Sequence, residues 1–221
     1  YARDPIALNA AHQTIEEAFP GRFVLGIGVS HAAAVEGTRH TRYGPPLATM
    51  RQYLDRMDAA PFVAVKPATR PRRVLAALGP KMLALSAERA DGAHPYLVTP
   101  EHTALAREIV GDKLLAVEQK VVLTGDRAAG RAVARSALRV YTSLPNYVNS
   151  WRRLGFTDDE ITGLEDRLVD AMVVGGDEAA IRARVQDHFD AGADHVCLHV
   201  LPLEGTLPLD DWRRLAPALI G

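Results

Sequence analysis

Glu118 and Lys120 stand two positions apart in an otherwise mostly apolar run, residues 114–123. Successive side chains of a strand take opposite faces, so the two charges share one face and Val117, Gln119 and Val121 take the other. A carboxylate and an ammonium aimed into an interior can serve proton transfer to a bound molecule, or they can simply pair with each other. His199 is the third residue of this kind. In the run 195–201, His195, Cys197 and His199 share one face, and Val196, Leu198 and Val200 share the apolar face that a helix would cover. His199 then reads either as a hydrogen-bond donor in a pocket or as a satisfied core histidine. His31, His94 and His199 all fall at or near strand ends, where metal-dependent barrel hydrolases keep their ligands, and this metal reading ranks last.

A second kind of chemistry belongs to the backbone. Residues 21–31 read as a turn, a buried strand and glycines near its carboxyl end, with Gly26, Gly28 and Ser30 on one face by period two. A face nearly free of side chains suits a flat ring or a phosphate, and a purely structural bulge is the plain alternative. As a dinucleotide fingerprint the run fails. The third glycine is missing, and Pro45-Pro46 precedes the next helix. Ala77-Leu78-Gly79-Pro80 is a strand end running into a helix whose first position is Pro80, which leaves free N–H groups suited to an anion or a ring carbonyl. In parallel α/β folds ligands lie beyond the carboxyl ends of the strands, where both segments fall. The sequence contains no Gly-x-Ser-x-Gly elbow, Walker loop or paired Cys-x-x-Cys.

The elements that carry these residues follow a repeated phrase: an amphipathic helix ends at a small residue, passes an Asp and feeds an apolar strand. Pro80 opens one copy, in which Asp91-Gly92 leads into a strand over 93–98. Asp177 caps the helix of the second, with the stripe Ile181, Val185 and Phe189, a stop at Gly192 and a strand over 195–201. A helix over 101–110 stops at Gly111 before the strand 114–123. Strands over 23–30 and 74–78 bring the total to about five, the pattern of a parallel α/β protein, as a barrel or an open sheet. Residues 126–174 form a helical insertion with segments over 127–141, 146–154 and 158–172 and no strand among them. Its Tyr141, Tyr147, Trp151 and Phe156 could serve as a substrate lid, a subunit contact or ordinary packing. No Gly/Ser-rich linker divides the chain, so residues 1–221 count as one domain.

Twenty-six basic and 27 acidic residues leave a formal charge of −1, with no basic block to neutralise a run of phosphates, which argues against nucleic acid as a partner. No apolar run is long enough for a membrane span and the amino end lacks a signal-peptide pattern, so a cytoplasmic protein is expected. Cys197, the single cysteine, reads as a small core residue.

Taken together, residues 21–31, Ala77-Leu78-Gly79-Pro80-Lys81-Met82, Glu88-Arg89-Ala90-Asp91-Gly92 and Ala191-Gly192-Ala193-Asp194-His195-Val196 resemble the luciferase-like oxidoreductases, specifically the branch that uses the deazaflavin coenzyme F420. The resemblance spans nearly the whole chain and implies a (β/α)₈ TIM-type barrel lacking its first three strand-helix units, with residues 21–31 as its fourth strand. It implies hydride transfer between coenzyme F420 and a small organic substrate, by a homodimer or other homo-oligomer. An FMN-dependent monooxygenase and a shortened non-catalytic paralogue are the alternatives. Cofactor contacts carried over are Gly28, Val29, Ser30, Ala77, Leu78, Gly79 and Pro80, with Thr99 on the phosphate side. His31 falls where a relative has a catalytic Glu. Together with Glu118 and His199 it completes the candidate acid-base residues, and no metal is implied.

Overall fold

The structure is a computed structural model that describes residues 1–205 and 207–220. Parallel strands alternate with helices in an α/β architecture, and the chain divides into two compact units, Tyr1–His94 and Pro95–Gly221.

In the first unit the order is α1 (Pro5–Ala18), β1 (Val24–Ile27), α2 (Ala32–Gly37), α3 (Pro46–Asp58), β2 (Arg72–Ala76), α4 (Pro80–Arg89) and β3 (Gly92–His94). Three helices start where proline at the first positions suits the fixed φ and the missing N–H, and Asp4 caps α1 by accepting from the N–H groups of Ile6 and Ala7. β1 and β3 flank β2 in parallel, Gly26 opposite Val74 and His94 opposite Ala76. Ile27, Met50, Leu54, Met57, Leu75 and Leu85 form the core between these strands and α3 and α4. Two strands are shorter than the sequence predicts. β1 ends at Ile27, so Ser30 leaves the period-two face and turns at φ +57°. β3 ends at His94, because Pro95 has no N–H to continue a ladder.

The second unit comprises α5 (Pro100–Val110), β4 (Leu114–Leu123), α6 (Arg127–Leu138), a 3-10 turn (Arg139–Ser143), α7 (Pro145–Arg153), α8 (Asp158–Gly163), α9 (Asp166–Met172), β5 (Val173–Gly176), α10 (Glu178–Asp190), β6 (His195–Val200) and α11 (Leu209–Leu219). β4 is central, with β5 on one side and β6 on the other, both parallel to it. The expected strandless stretch 126–174 therefore ends in a strand: Val173 pairs with Lys120 and Val174 with Val121. Four residues of strand, two of them Gly175 and Gly176, carry too little β-branched pattern to be seen in sequence. The single helix expected over 158–172 is two, broken at Leu164, φ +50°. On α10 the buried stripe is Ile181 and His188, while Phe189, expected inside, is 40% exposed. The imidazole is admitted because both ring nitrogens are partnered, Nδ1 by Thr103 Oγ1 at 2.9 Å and Nε2 by Gln119 Oε1 at 3.0 Å.

The repeated helix–Asp–strand phrase has a common structural job. Asp91 accepts from the N–H of Arg73 at 2.8 Å, and its own N–H donates to the Arg73 carbonyl at 2.8 Å. Asp194 does the same to Leu115, at 2.8 and 2.9 Å. Each aspartate thus locks the start of one strand to the neighbour laid beside it, β3 on β2 and β6 on β4, and sets the register that aligns their far ends. Among the described residues no helix is long and apolar enough to cross a membrane.

Candidate functional site

In the second unit, register brings the charged residues of β4 beside those of β6: Glu118 lies opposite Cys197 and Lys120 opposite His199. Lys120 is 1% exposed. Its Nζ lies 2.9 Å from Glu118 Oε1, 2.5 Å from the Tyr96 hydroxyl and 2.8 Å from His199 Nδ1, and stands 4.2 Å above the centre of the Tyr96 ring. The Tyr96 hydroxyl also meets that of Tyr141 at 3.1 Å, and Tyr147 packs edge-on against both rings. Glu118 turns its second oxygen to the N–H of Leu97 at 3.1 Å. Leu97 itself is held at φ +54°, a conformation costly for a leucine, and its carbonyl accepts from the indole of the buried Trp151 at 3.4 Å.

Burial alone would raise the Glu118 carboxyl, but hydrogen bonds from His199, the charge and hydrogen bond of Lys120 and the Leu97 N–H together hold it below the usual carboxylate range. Burial pulls the Lys120 ammonium down, and Glu118 only partly offsets it. Burial, then the Tyr141 hydrogen bond, pushes the Tyr96 phenol up, so Tyr96 keeps its proton. His199 is the open member of the set, its side chain 48% exposed. Such a set can donate to, or exchange a proton with, a polar group bound beside His199.

The first unit offers a different surface. A Cβ on Gly26 would meet nothing within 4 Å, and one on Gly28 would meet only Ala76 Cβ, at 3.3 Å. A cavity of about 210 Å³ opens along this strand, lined by Leu25, Gly26, Gly28, Val29, Met50 and Tyr53 among others. An open backbone face of this kind leaves room for a flat ring. Beyond it Ser30 is held at positive φ, and its carbonyl accepts from the Tyr43 hydroxyl at 3.1 Å. His31 is the N-cap residue of α2 and makes no side-chain capping bond. Ala77 and Leu78 follow β2, Gly79 caps α4 without a side chain and Pro80 is its first residue.

Of the remaining sequence candidates, Thr99 is 4% exposed and caps α5, its hydroxyl accepting from His102 N at 3.4 Å. Its oxygen is already occupied with that N–H. Among the described residues no group of three or more His, Cys, Asp or Glu could hold a metal ion. The paired charges Glu118 and Lys120 and the imidazole of His199 come together as the strand pattern suggests. Tyr96 and Tyr141 as their partners were missed, because only the tertiary fold brings the post-β3 segment and the 3-10 turn to β4.

The fold defines a class, the parallel α/β architecture of an incomplete TIM-type barrel. The luciferase-like monooxygenase family matches residues 1–195, and the chain belongs to that family. A protein of Mycobacterium tuberculosis (strain ATCC 25618 / H37Rv) named as a coenzyme F420-dependent oxidoreductase, Rv3520c, is 29% identical over 248 aligned residues, covering 83% of this chain and 72% of that protein. An F420-dependent secondary alcohol dehydrogenase, solved with an F420-acetone adduct, superposes over 99% of this chain and 76% of its own, at 14% identity and a TM-score of 0.76. The coenzyme F420-dependent tetrahydromethanopterin reductase of Methanopyrus kandleri matches over 100% of this chain and 80% of its own, at 14% identity and a TM-score of 0.62. At such identities these two likenesses speak for the fold.

Proposed function

We propose that this chain is a coenzyme F420-dependent oxidoreductase that moves a hydride between the deazaflavin and a small organic substrate, as a homo-oligomer. Family membership and the mycobacterial relative's name support the cofactor class. The observation that carries the reading is the side-chain-free face of β1 along its cavity, which suits a planar ring. Gly28, Val29, Ser30, Ala77, Leu78, Gly79 and Pro80 would hold the cofactor, the last two by shaping the turn into the start of α4. Thr99 would act on the phosphate side through the start of α5.

When bound, the deazaflavin supplies a two-electron carrier that gives and takes hydride without activating dioxygen. The protein's own part is to orient the substrate and manage one proton, since oxidising an alcohol releases its hydroxyl proton and reducing a carbonyl consumes one. His199 is the exposed imidazole for that exchange, backed by Glu118, and His31 is the candidate in the first unit.

A fluorescence titration of the chain with the deazaflavin, and separately with FMN, tests this. Saturable micromolar binding of the deazaflavin and no oxygen uptake with a flavin reductase present are expected. FMN preference with oxygen uptake would replace this reading with a monooxygenase, and binding of neither would favour a non-catalytic paralogue.

A further inference from the structure

We infer that the second unit carries a binding site for a small phosphate-type dianion, in the cleft where Arg127 and Arg131 of α6 and Arg184 of α10 stand around Asp170 beside β5. The site lies wholly within that unit, and neither its residues nor its test depend on the deazaflavin.

Local sequence opens the cleft. β5 is an edge strand, paired with β4 alone among the described strands, so no further strand seals its other side. Gly175 faces Gly130 of α6, and a Cβ added to Gly175 would meet only the Gly130 Cα, at 3.9 Å. Two glycines at this crossing let α6 lie close to the strand and keep the space beside it free of side chains. What remains open is a cavity of about 230 Å³, lined by Arg127, Arg131, Val169, Asp170, Gly175 and Arg184 among others. Pockets for drug-sized ligands run to about 300–1,000 Å³, so this one suits a small ion or ester and not a whole nucleotide.

Its charges point to the ligand. Three guanidinium groups line the cavity against one carboxylate. Arg127 and Arg131, one turn apart on α6, share a face and repel each other. Asp170 answers both: Arg131 holds its two oxygens with Nε at 2.8 Å and Nη2 at 2.5 Å, and Arg127 Nη2 reaches Oδ2 at 2.9 Å. Asp166 also meets Arg131, but Arg135 binds it as well, so it does not balance the excess. Among the described residues no carboxylate comes within hydrogen-bonding distance of Arg184. Its Nη1 donates to the Ala171 carbonyl at 2.9 Å and its Nη2 to that of Asp170 at 3.4 Å, while Asp187 Oδ2 stands 3.9 Å from Nε. Burial pulls this guanidinium below the usual arginine value, and Asp187, Glu101 and Asp170 offset that only in part. A cation short of counter-charge beside an open cavity is stabilised by an anion that enters it.

Geometry favours phosphate over carboxylate. One guanidinium fork satisfies a planar carboxylate, as Arg131 satisfies Asp170. Free N–H donors here come from two helices, Arg127 on α6 and Arg184 on α10, which suits a tetrahedral group whose oxygens point in several directions. These two guanidiniums also match the charge of about −2 that a phosphate monoester carries near neutral pH.

Isothermal titration calorimetry of the full chain with inorganic phosphate, at an ionic strength held constant with sodium chloride, tests the site. One saturable event with a Kd of about 1 mM or tighter is expected. Arg127→Gln and Arg184→Gln should each weaken it at least about tenfold, as loss of a charge-assisted hydrogen bond does. Arg213→Gln, on α11, should leave it unchanged. Because Arg184 also binds the last carbonyls of α9, its variant can fail to fold, and Arg127, with a side chain 75% exposed, then decides alone. Glycerol 3-phosphate and succinate form two further arms. Tighter binding of the ester than of phosphate identifies an organic phosphate as the ligand, and equal or weaker binding identifies the free ion. Succinate bound as tightly as either would overturn the phosphate assignment. No saturation below about 10 mM, or an affinity unchanged in both arginine variants, would overturn the site.

Discussion

An ammonium hidden as completely as that of Lys120 is tolerated because a carboxylate, a phenol and an imidazole receive its three protons. Lys120→Met alone would strand the Glu118 carboxylate and should cost about 3–5 kcal/mol in urea unfolding. The double variant with Glu118→Gln should lose much less than the sum of the single changes, and additivity would show that the two do not interact. A second residue-scale test concerns Gly26. A Cβ there enters open space, so Gly26→Val should leave the melting temperature unchanged or higher while weakening deazaflavin binding at least about tenfold through occupation of the open face. Equal affinity in the variant would return the glycine to a merely structural role. The alternation of Glu118 and Lys120 around Gln119 revealed the interior charges in sequence. That Tyr96 would join them was hidden, because nothing in a Pro-Tyr-Leu stretch signals which strand it will lie against.

Elements carry the next set of effects. Asp91 and Asp194 tie strand to strand by the same pair of bonds, one accepted by the side-chain carboxylate and one donated by the aspartate's own N–H, and Asp194 also meets the Arg107 guanidinium at 2.6 Å. Asp194→Ala should therefore destabilise by about 1–3 kcal/mol, the cost of leaving the Leu115 N–H unpaired. A loss below about 0.5 kcal/mol in the same unfolding assay would mean that β6 finds its register without this clamp. On α10 the sequence pattern favours Phe189 as the third core residue, yet helix geometry places His188 inward seven positions after Ile181. Ile181→Ala should cost about 2–5 kcal/mol, and Phe189→Ala, at a largely exposed position, about 0.5 kcal/mol or less. Hydrophobicity alone misplaces the stripe, since an imidazole counts as polar until its partners Gln119 and Thr103 are known.

For the whole molecule, the paired charges make acid the weak side. Glu118, Asp58, Glu88 and Asp170 are all held below their usual values, Glu118 and Asp58 against the opposing effect of burial and Glu88 and Asp170 chiefly by arginine hydrogen bonds. A carboxyl depressed in the folded state adds stability above its unfolded value, and that stability is lost as pH falls through the folded value. His188 acts in the same direction for the opposite reason. Burial, then the charge of Arg184, lowers it to about 4, so charging it costs nothing above its unfolded 6.5 and progressively more as pH falls toward 4. That one group should remove about 3 kcal/mol across this window. Urea unfolding at a series of pH values should show the decline, and His188→Gln should flatten its part between pH 6.5 and 4. An identical slope in the variant would place the acid lability elsewhere.

Sequence alone determined the alternation of strand and helix, the parallel α/β class, the open glycine face and the inward pair Glu118 and Lys120, because each follows from periodicity or local backbone chemistry, while the family was legible only as a resemblance of motifs. Tertiary structure decided what those residues touch. The strand at Val173–Gly176, the burial of His188, the capping duty of Thr99 and the union of Lys120 with Tyr96, Tyr141 and His199 depend on contacts between segments distant in sequence. Local preference is blind to such contacts, since a side chain's partner is set by register and packing rather than by its neighbours along the chain.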